Sequence, residues 1–184
     1  AFGERLSVLA RPEPLAAALA VILLAPAPPM LFMGEEWGTA KPFLFFCDFE
    51  PRLAPHVTAG RRAEFARLAR FRDEAARDQI PDPASALTFA ASKLDWRECE
   101  QGPGAECLAR YRQLLALRRT EIVPRLAGMA GSARYRLFQG HGLAVDWQLG
   151  DGSRLHLVSN LSDVRLAGVV LPRGRTFYAT ATAP

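Results

Sequence analysis

Cysteine, histidine and methionine are scarce in this chain of 184 residues, which contains three of each. Cys47, Cys99 and Cys107 are odd in number and lack the spacing of metal ligands, so the sequence predicts neither a disulfide framework nor a zinc site. The three histidines are widely separated, and none lies beside a second candidate ligand. These absences favour a reducing compartment, and we expect a cytoplasmic protein that needs no metal or cofactor.

Long hydrophobic runs are also missing. Residues 15–24 are strongly apolar, but the run is about half as long as a bilayer-spanning helix, and Pro26, Pro28 and Pro29 stop it. There is no basic segment followed by a hydrophobic stretch and a small-residue cleavage site. The first residue is not Met, so we expect the sequence to begin partway through a longer protein, with no membrane partner.

Charge of one sign is not segregated along the chain. The formal net charge of +4 comes mainly from arginines within residues 61–125, where acidic residues such as Glu64 and Asp73 are interspersed. Mixed charge is typical of a solvated surface, whereas nucleic-acid binding needs a basic patch or stripe. We therefore expect no nucleic-acid partner. Hydrophobic residues make up 49% of the chain, which is enough for the core of one domain or two small ones.

The first part of the chain combines helical and strand patterns. Residues 5–10 and 13–24 predict helices, and the second is rich in Ala and Leu. It is apolar on nearly all sides, so we expect it to be buried. Residues 30–33, bounded by prolines and glycine, predict a short strand buried on both faces. A helix that leads into such a strand is the half-unit of a parallel α/β sheet or barrel.

The residues that follow this predicted strand suit a binding loop, because ligand-binding loops of α/β folds start at strand ends. Two interpretations stay open for the loop over residues 38–48: its phenylalanines pin it to a core, or it lines a carbohydrate cleft, since the C–H faces of sugar rings stack on aromatic surfaces. The acidic and aromatic residues concerned are Glu35, Glu36, Trp37, Phe43, Phe45, Phe46 and Asp48.

The middle of the chain predicts two helices separated by an irregular segment. Residues 58–76 have the pattern of an amphipathic surface helix, and residues 104–119 have the pattern of a second helix. Prolines and aspartates punctuate residues 79–94, which we expect to be irregular or only briefly helical.

The tetrapeptide Lys93-Leu94-Asp95-Trp96 has two interpretations. We favour a tryptophan that anchors a long loop. The alternative is that the charged pair, Lys93 and Asp95, contributes to a ligand site.

Past Pro124 the pattern changes from helical to alternating, which predicts a domain boundary near residue 123. Gly-x-Gly triplets begin at Gly140 and Gly150 and predict turns. No acids, bases or metal ligands cluster in this part, so we interpret it as a structural antiparallel domain. Five short strands are predicted, over residues 134–137, 143–149, 155–158, 165–171 and 176–180.

The succession of these blocks resembles the glycoside hydrolases of the α-amylase family. Gly34-Glu35-Glu36 alone would be weak, because many amylase-like enzymes end the eighth barrel strand similarly. The later blocks single out members that release trehalose. The likeness covers residues 1–122 well and rests, in order, on residues 29–38, Pro42-Phe43, Phe45-Phe46 with Asp48, Gly60-Arg61-Arg62, Glu64-Phe65, Asp82-Pro83, Thr88-Phe89 and Ser92-Lys93-Leu94-Asp95-Trp96.

The fold that this resemblance implies is an α/β remnant, made of the last strand and helices of a (β/α)8 barrel, plus an all-β antiparallel C-terminal domain. The barrel end would occupy residues 1–122, with a long excursion between strand eight and helix eight, and the β domain residues 123–184. Residues 30–33 would be strand eight, residues 13–24 the helix before it and residues 104–119 the closing helix.

The resemblance also implies where catalysis lies. The family uses a nucleophilic carboxylate after strand four, an acid/base Glu after strand five and an Asp after strand seven, and all three are expected upstream of Ala1. A retaining glycosidase needs two carboxyl groups about 5–5.5 Å apart. Glu35 and Glu36 are adjacent, and in extended backbone they would point to opposite faces. We therefore expect one of them to support the site or contact substrate, and neither to be the nucleophile.

The function implied is hydrolysis of an α-1,4-glucosidic bond that releases trehalose from maltooligosyl-trehalose, with the isolated chain inactive. The alternatives are a non-catalytic carbohydrate-binding or interaction module, or a fragment of a related amylase-like hydrolase or branching enzyme. Apolar surfaces made for a barrel would be exposed and open to self-association. The candidate substrate-binding residues are Glu35, Glu36, Trp37, Phe43, Phe45, Phe46, Asp48, Lys93 and Asp95.

Overall fold

The computed structural model describes residues 2–131 and 133–180, in which helices and turns precede a sheet. No helix in these ranges is long and apolar enough to cross a membrane. The helices are α1 Leu6–Leu9, α2 Pro12–Leu24, α3 Ala54–Phe65, α4 Glu74–Asp78, α5 Ala86–Ser92 and α6 Gly102–Leu117, and the strands are β1 Ala133–Phe138, β2 Gly142–Gln148 and β3 Arg154–Asn160. Short 3-10 turns lie at Glu35–Trp37, Ala69–Phe71, Trp96–Cys99 and Val123–Arg125.

Helix α2 confirms the helix predicted over residues 13–24 but not its complete burial. Pro12 opens the helix, at a position where a proline costs no hydrogen bond. α6 and the sheet cover one side of α2, so the expectation of a helix buried on every side was wrong, and Ile22 is exposed. The buried residues of α2 are Ala20, Leu23 and Leu24.

Residues 30–33 form no strand, contrary to the expectation from their composition. Met30 is 90% exposed, and the three residues after it are exposed by 40–46%. A buried strand needs a hydrogen-bonded neighbour and a cover on each face, and the sheet of the described residues consists of β1, β2 and β3. The barrel strand expected at residues 30–33 is therefore not formed in the described part of the chain, and the apolar segment lies open.

The single helix predicted over residues 58–76 is interrupted. α3 ends at Phe65, and the backbone is extended at Leu68 before a 3-10 turn leads into α4. This break brings the buried ring of Phe71 to 5.6 Å from that of Phe65 and 5.8 Å from that of Phe2. A continuous helix could not fold Phe71 back in this way, so aromatic packing decides the conformation here.

Helices α5 and α6 agree with the sequence. α5 is the brief helix expected within residues 79–94, and α6 confirms the helix predicted over residues 104–119. The chain continues from α6 into a π turn, Arg118–Ile122. Tyr111, Leu114 and Arg118 follow one another at helical spacing and are all buried, so this face of α6 packs inward.

The sheet has the order β1-β2-β3, and both pairs are antiparallel. Val145 of β2 lies opposite Tyr135 of β1 and Leu157 of β3. The alternating pattern therefore predicted these strands correctly, and turns follow β1 and β2 at Gly140 and Gly150 as expected.

The last two predicted strands, over residues 165–171 and 176–180, do not form. Residues 171–180 run beside β3 across a cavity of about 810 Å³ that α2 also lines. Residues 165–171 and 176–180 have no place in the strand order of the sheet, which is β1-β2-β3. Among the described residues the β part has three strands, where we expected five.

One core joins the helices to the sheet. Leu23, Leu114 and Ile122 are completely buried at its centre, and Leu149 and Leu155 contribute from the sheet side. The core crosses the boundary expected near residue 123. The division into residues 1–122 and 123–184 stays a prediction.

The guanidinium of Arg118 caps the carboxyl end of α2. Its Nη1 donates to the carbonyl oxygens of Leu23, at 3.2 Å, and of Ala25, and its Nη2 donates to those of Pro26, at 3.1 Å, and Ala27, at 2.9 Å. The last carbonyls of a helix lack partners and carry partial negative charge. Burial lowers the pKa of Arg118, yet an arginine stays protonated in proteins. The cation therefore satisfies groups that would otherwise be buried unpaired.

We expect Arg118→Met to lower the free energy of unfolding by about 2–4 kcal/mol, because it leaves buried carbonyl oxygens without donors. The matched control is Arg119→Met at the next, exposed position, which should change the free energy by less than about 0.5 kcal/mol. Urea unfolding followed by circular dichroism measures both. Equal unfolding midpoints for the two variants would contradict the capping role.

Candidate functional site

The Glu35–Trp37 segment is a 3-10 turn held between two left-handed glycines. Gly34 has φ +86° and Gly38 has φ +66°, a region that favours glycine. The N–H of Gly38 donates to the carbonyl of Glu35 at 3.0 Å. The expectation of an extended backbone at Glu35 and Glu36 was wrong, because the glycines fold the chain into a turn. Successive side chains still diverge, by roughly 120° in a 3-10 helix.

The two carboxylates lie near α6. Burial raises the pKa of Tyr111 above its ordinary value, and the charge of Glu35 raises it further. Burial likewise raises the pKa of the Cys107 thiol, and Glu36 adds to this effect. One carboxylate oxygen of Glu36, Oε2, is buried without a hydrogen-bond partner in the described part of the chain. Contact of either glutamate with sugar stays a prediction.

Trp37 is buried, with 4% of its surface exposed. Its indole Nε1 donates to Oε2 of Glu98 at 3.3 Å, and the hydroxyl of Thr39 donates to the same oxygen at 2.5 Å. The ring centroid of Trp37 lies 5.0 Å from that of Trp96, which is 66% exposed. Trp37, expected to contact substrate, therefore supports a second indole, and Trp96, expected to anchor a loop, is the one that faces solvent.

Phenylalanine rings form a connected series beside this pair. The ring of Phe43 lies 4.9 Å from Phe32 and 5.7 Å from Phe46, and Phe46 lies 5.1 Å from Phe89, all edge to face. Such arrangements suit the aromatic quadrupole. The phenylalanines of the loop pack on one another, as the first interpretation expected, and they also border a cavity. The carbohydrate cleft of the second interpretation stays a prediction.

This cavity has a volume of about 330 Å³. It brings together Phe43, Phe46 and Lys93 from the predicted set. The ammonium of Lys93 lies 4.8 Å from the ring centroid of Phe89. We call it the aromatic cavity, and its lining residues are Met33, Phe43, Phe46, Phe89, Ser92, Lys93, Leu94 and Trp96.

Phe45 and Asp48 are not among the lining residues. Phe45 packs under the guanidinium of Arg61 on α3, at 4.9 Å from its ring centroid, and Asp48 is exposed. Leu44 between the phenylalanines is buried, and its N–H donates a hydrogen bond to the hydroxyl oxygen of Ser92 at 3.0 Å. The structure therefore separates residues that the sequence placed in one set.

Asp95 forms a forked ion pair with Arg97. Its two carboxylate oxygens accept from the Nε of Arg97 at 2.9 Å and from its Nη2 at 2.7 Å. Hydrogen bonds from the Arg97 side chain and backbone lower the pKa of Asp95 to about 2. The carboxylate is therefore ionised at neutral pH and can accept hydrogen bonds from a ligand.

The N-terminal segment braces the loop from behind. The buried side chain of Arg5 donates its Nε to the carbonyl of Lys41 at 2.8 Å and its Nη1 to that of Met33 at 3.1 Å. The carbonyl of Gly3 accepts from the N–H of Phe43 at 2.8 Å. A Cβ at Gly3 would lie 2.0 Å from the carbonyl oxygen of Phe43, so only glycine fits.

The sequence-based reasoning missed Arg5 and Glu98. Neither has a local signal, because their partners lie 28 to 61 positions away. Among the described residues there is no group of three or more His, Cys, Asp or Glu that could hold a metal. The residues that line the aromatic cavity include no carboxylate. The arrangement is suited to binding a ring with apolar faces and holds no pair of carboxyl groups for its hydrolysis.

We expect Glu98→Ala to lower the free energy of unfolding by about 1–3 kcal/mol, because the buried donors of Trp37 and Thr39 lose their acceptor. Glu98→Gln keeps a carbonyl oxygen as acceptor, so its free energy of unfolding should fall by less. Glu100→Ala, at an exposed position on the same turn, is the matched control. Urea unfolding followed by tryptophan fluorescence measures the three variants, and an Ala variant as stable as the control would contradict the bonding.

We expect Arg97→Met to raise the pKa of Asp95 from about 2 toward its ordinary value of 3.8. Because the pKa of the folded state is depressed, the stabilisation exists above the ordinary value and is lost as the pH falls toward 2. Carbon-13 NMR titration of the Asp95 carboxyl group measures this pKa. Lys41→Met removes the smallest of the contributions and should shift the pKa less, so an equal or larger shift there would refute the assignment.

Three comparisons with known proteins show what the chain is similar to. Residues 130–184 match a domain of unknown function, DUF3459. A malto-oligosyltrehalose trehalohydrolase of Arthrobacter ramosus is 49% identical over 65% of this chain and 20% of its own length. One of Deinococcus radiodurans is 39% identical over 83% of this chain and 25% of its own length.

The fold is also found in a solved structure. A protein of Salmonella typhimurium described as an alpha amylase is 39% identical, covers 92% of this chain and 28% of its own, and superposes with a TM-score of 0.80. The chain spans about a fifth to a quarter of the length of the curated relatives that it matches. The chain is thus similar to one part of the malto-oligosyltrehalose trehalohydrolases and of a solved structure described as an alpha amylase.

Proposed function

We propose that this chain is the C-terminal part of a retaining glycoside hydrolase that releases trehalose from maltooligosyl-trehalose by hydrolysing an α-1,4-glucosidic bond. The observation that carries the proposal is the identity of 39–49% to relatives named malto-oligosyltrehalose trehalohydrolase. The aromatic cavity supports it, because apolar ring faces with a few polar groups at the rim suit a sugar. Three free cysteines among the described residues are in keeping with a reducing cytoplasm.

The chain would contribute one wall of the substrate cleft. Phe43 and Phe46 offer aromatic edges and faces, Lys93 an ammonium donor and Asp95 an ionised acceptor. The two carboxyl groups that a retaining mechanism needs, about 5–5.5 Å apart, would come from the part of the enzyme that precedes this chain. Glu35 and Glu36 would hold the turn against α6 and border the cleft.

Residues 30–33 would be the last strand of a barrel in the whole enzyme. Their exposure supports this proposal, because four consecutive apolar side chains lie open and an exposed apolar patch marks a contact surface. Leu6, Val8 and Leu9 of α1 are exposed as well. In the isolated chain these surfaces are free to associate with another copy.

A non-catalytic carbohydrate-binding module is the second candidate. The observation that favours it is the same aromatic cavity, which can bind a sugar without any catalytic carboxylate. Calorimetry of the isolated chain with maltotriose separates the two proposals. A binding module keeps its affinity in isolation, whereas one wall of a cleft does not.

We expect the isolated 184 residues to release no trehalose from maltotriosyl-trehalose, because the carboxyl pair is supplied elsewhere in the enzyme. The whole protein should release it. Chromatography of the reaction products measures trehalose in both samples, with a mock purification from the same host as control. Trehalose release by the pure chain would overturn this division of labour, and its absence from the whole protein would overturn the proposed function.

A further inference from the structure

Trp96 is an exposed indole on a rigid support. One neighbour is the buried ring of Trp37, with centroids 5.0 Å apart and ring planes at 46°. Trp37 is in turn fixed by its hydrogen bond to Glu98, whose carboxylate also holds Thr39. Aromatic side chains have few rotatable bonds, so an indole backed in this way needs little ordering before it binds a ligand. The exposed surface of Trp96 is therefore a ready contact area.

The exposure of Trp96 has an energetic cost. About 25 cal/mol is lost for each Å² of apolar surface left in water, and Trp96 is 66% exposed although it borders a cavity lined by other apolar side chains. A ligand with an apolar face would recover part of this energy. The pyranose ring of a glucosyl unit has such a face, formed by its C–H groups.

Polar groups beside Trp96 in the sequence suit the hydroxyl groups of such a ring; Lys93 lines the aromatic cavity, whereas Asp95 is not among its lining residues. Lys93 makes no ion pair within the described residues, and its ammonium lies over Phe89 with donors free for a ligand. Asp95, between Lys93 and Trp96 in sequence, is ionised. A donor, an acceptor and an indole therefore occur within four consecutive residues.

The size of the aromatic cavity limits what it can hold. Its volume of about 330 Å³ lies near the lower end of the range for ligand pockets, about 300–1,000 Å³. It can take a single sugar ring or little more, and an extended oligosaccharide would continue outside it. The aromatic cavity thus has the dimensions of one subsite.

We propose that Trp96 is the stacking platform of a subsite for one glucosyl ring of the substrate, with Lys93 donating to a hydroxyl group of that ring. Glu98 is a positioning residue that acts through Trp37. This inference rests on the proposed function for its substrate, an α-linked glucan chain. It adds a residue that the pattern of the sequence assigned to anchoring a loop.

The test compares variants of the whole protein in the hydrolysis of maltotriosyl-trehalose. Trp96→Ala should raise KM about tenfold with kcat nearly unchanged, because a stacking contact away from the reacting bond binds substrate and transition state alike. Trp96→Phe keeps an aromatic face and should raise KM about two- to threefold. Tyr135→Ala removes an aromatic of similar exposure on β1 and is the matched control, with KM unchanged.

The positioning role of Glu98 needs a measurement that a loss of folding stability alone would not change. Glu98→Ala should raise KM in the same direction as Trp96→Ala, and Glu98→Gln, which keeps an acceptor for Trp37, should restore it. A KM for Trp96→Ala equal to that of the control would overturn the subsite. If Trp96→Ala does not fold, Trp96→Phe decides, and a KM equal to that of Tyr135→Ala overturns the proposal.

A binding experiment separates this inference from the proposed function. Titration of the whole protein with maltotriose should change its tryptophan emission, Trp96→Phe should reduce that change, and Tyr135→Ala should leave it as it is. A whole protein that releases no trehalose would overturn the proposed function, and the maltotriose titration would then still decide the subsite. An emission change that is as large in Trp96→Phe as in Tyr135→Ala would overturn the subsite while leaving the hydrolase proposal intact.

Discussion

The guanidinium of Arg118 holds the carbonyl oxygens at the end of α2, and the course of the chain into residues 28–48 depends on this contact. It satisfies groups that cannot bond within the helix and ties α2 to the end of α6. α6 also packs against the 3-10 turn that carries Glu35 and Glu36. The same helix therefore receives the end of α2 and supports the turn that follows it.

The loop beyond that turn has no helix or strand of its own, so its backbone groups depend on side chains from elsewhere in the chain. Arg5 binds carbonyl oxygens on both sides of the turn, and Ser92 serves the N–H of Leu44. Glu98 accepts hydrogen bonds from the side chains of Trp37 and Thr39. Polar contacts over long sequence distances give an irregular segment a defined shape, and this shape creates the aromatic cavity.

Local patterns predicted the parts of the fold that local forces decide. Alanine and leucine content identified α2, helical spacing identified α6, and alternation identified β1 to β3. The wrong predictions of secondary structure have a common cause. In each case the conformation depends on a packing partner that is either missing or distant in the sequence. Residues 30–33 have the composition of a buried strand but no neighbouring strand, residues 165–171 and 176–180 alternate but do not pair with the sheet, and the break at Leu68 accompanies the packing of Phe71.

The candidate site shows the same limit at the level of single residues. The sequence correctly indicated a loop with aromatic and charged residues, and the structure gathers Phe43, Phe46 and Lys93 at one cavity. It could not tell which of two tryptophans would be buried, because that depends on Glu98, which lies 61 positions from Trp37. With Trp37 fixed beneath the surface, its neighbour Trp96 is the indole that stays exposed. The Glu-Glu-Trp turn therefore supports the surface that we propose for binding, and Trp96 of that surface packs against it.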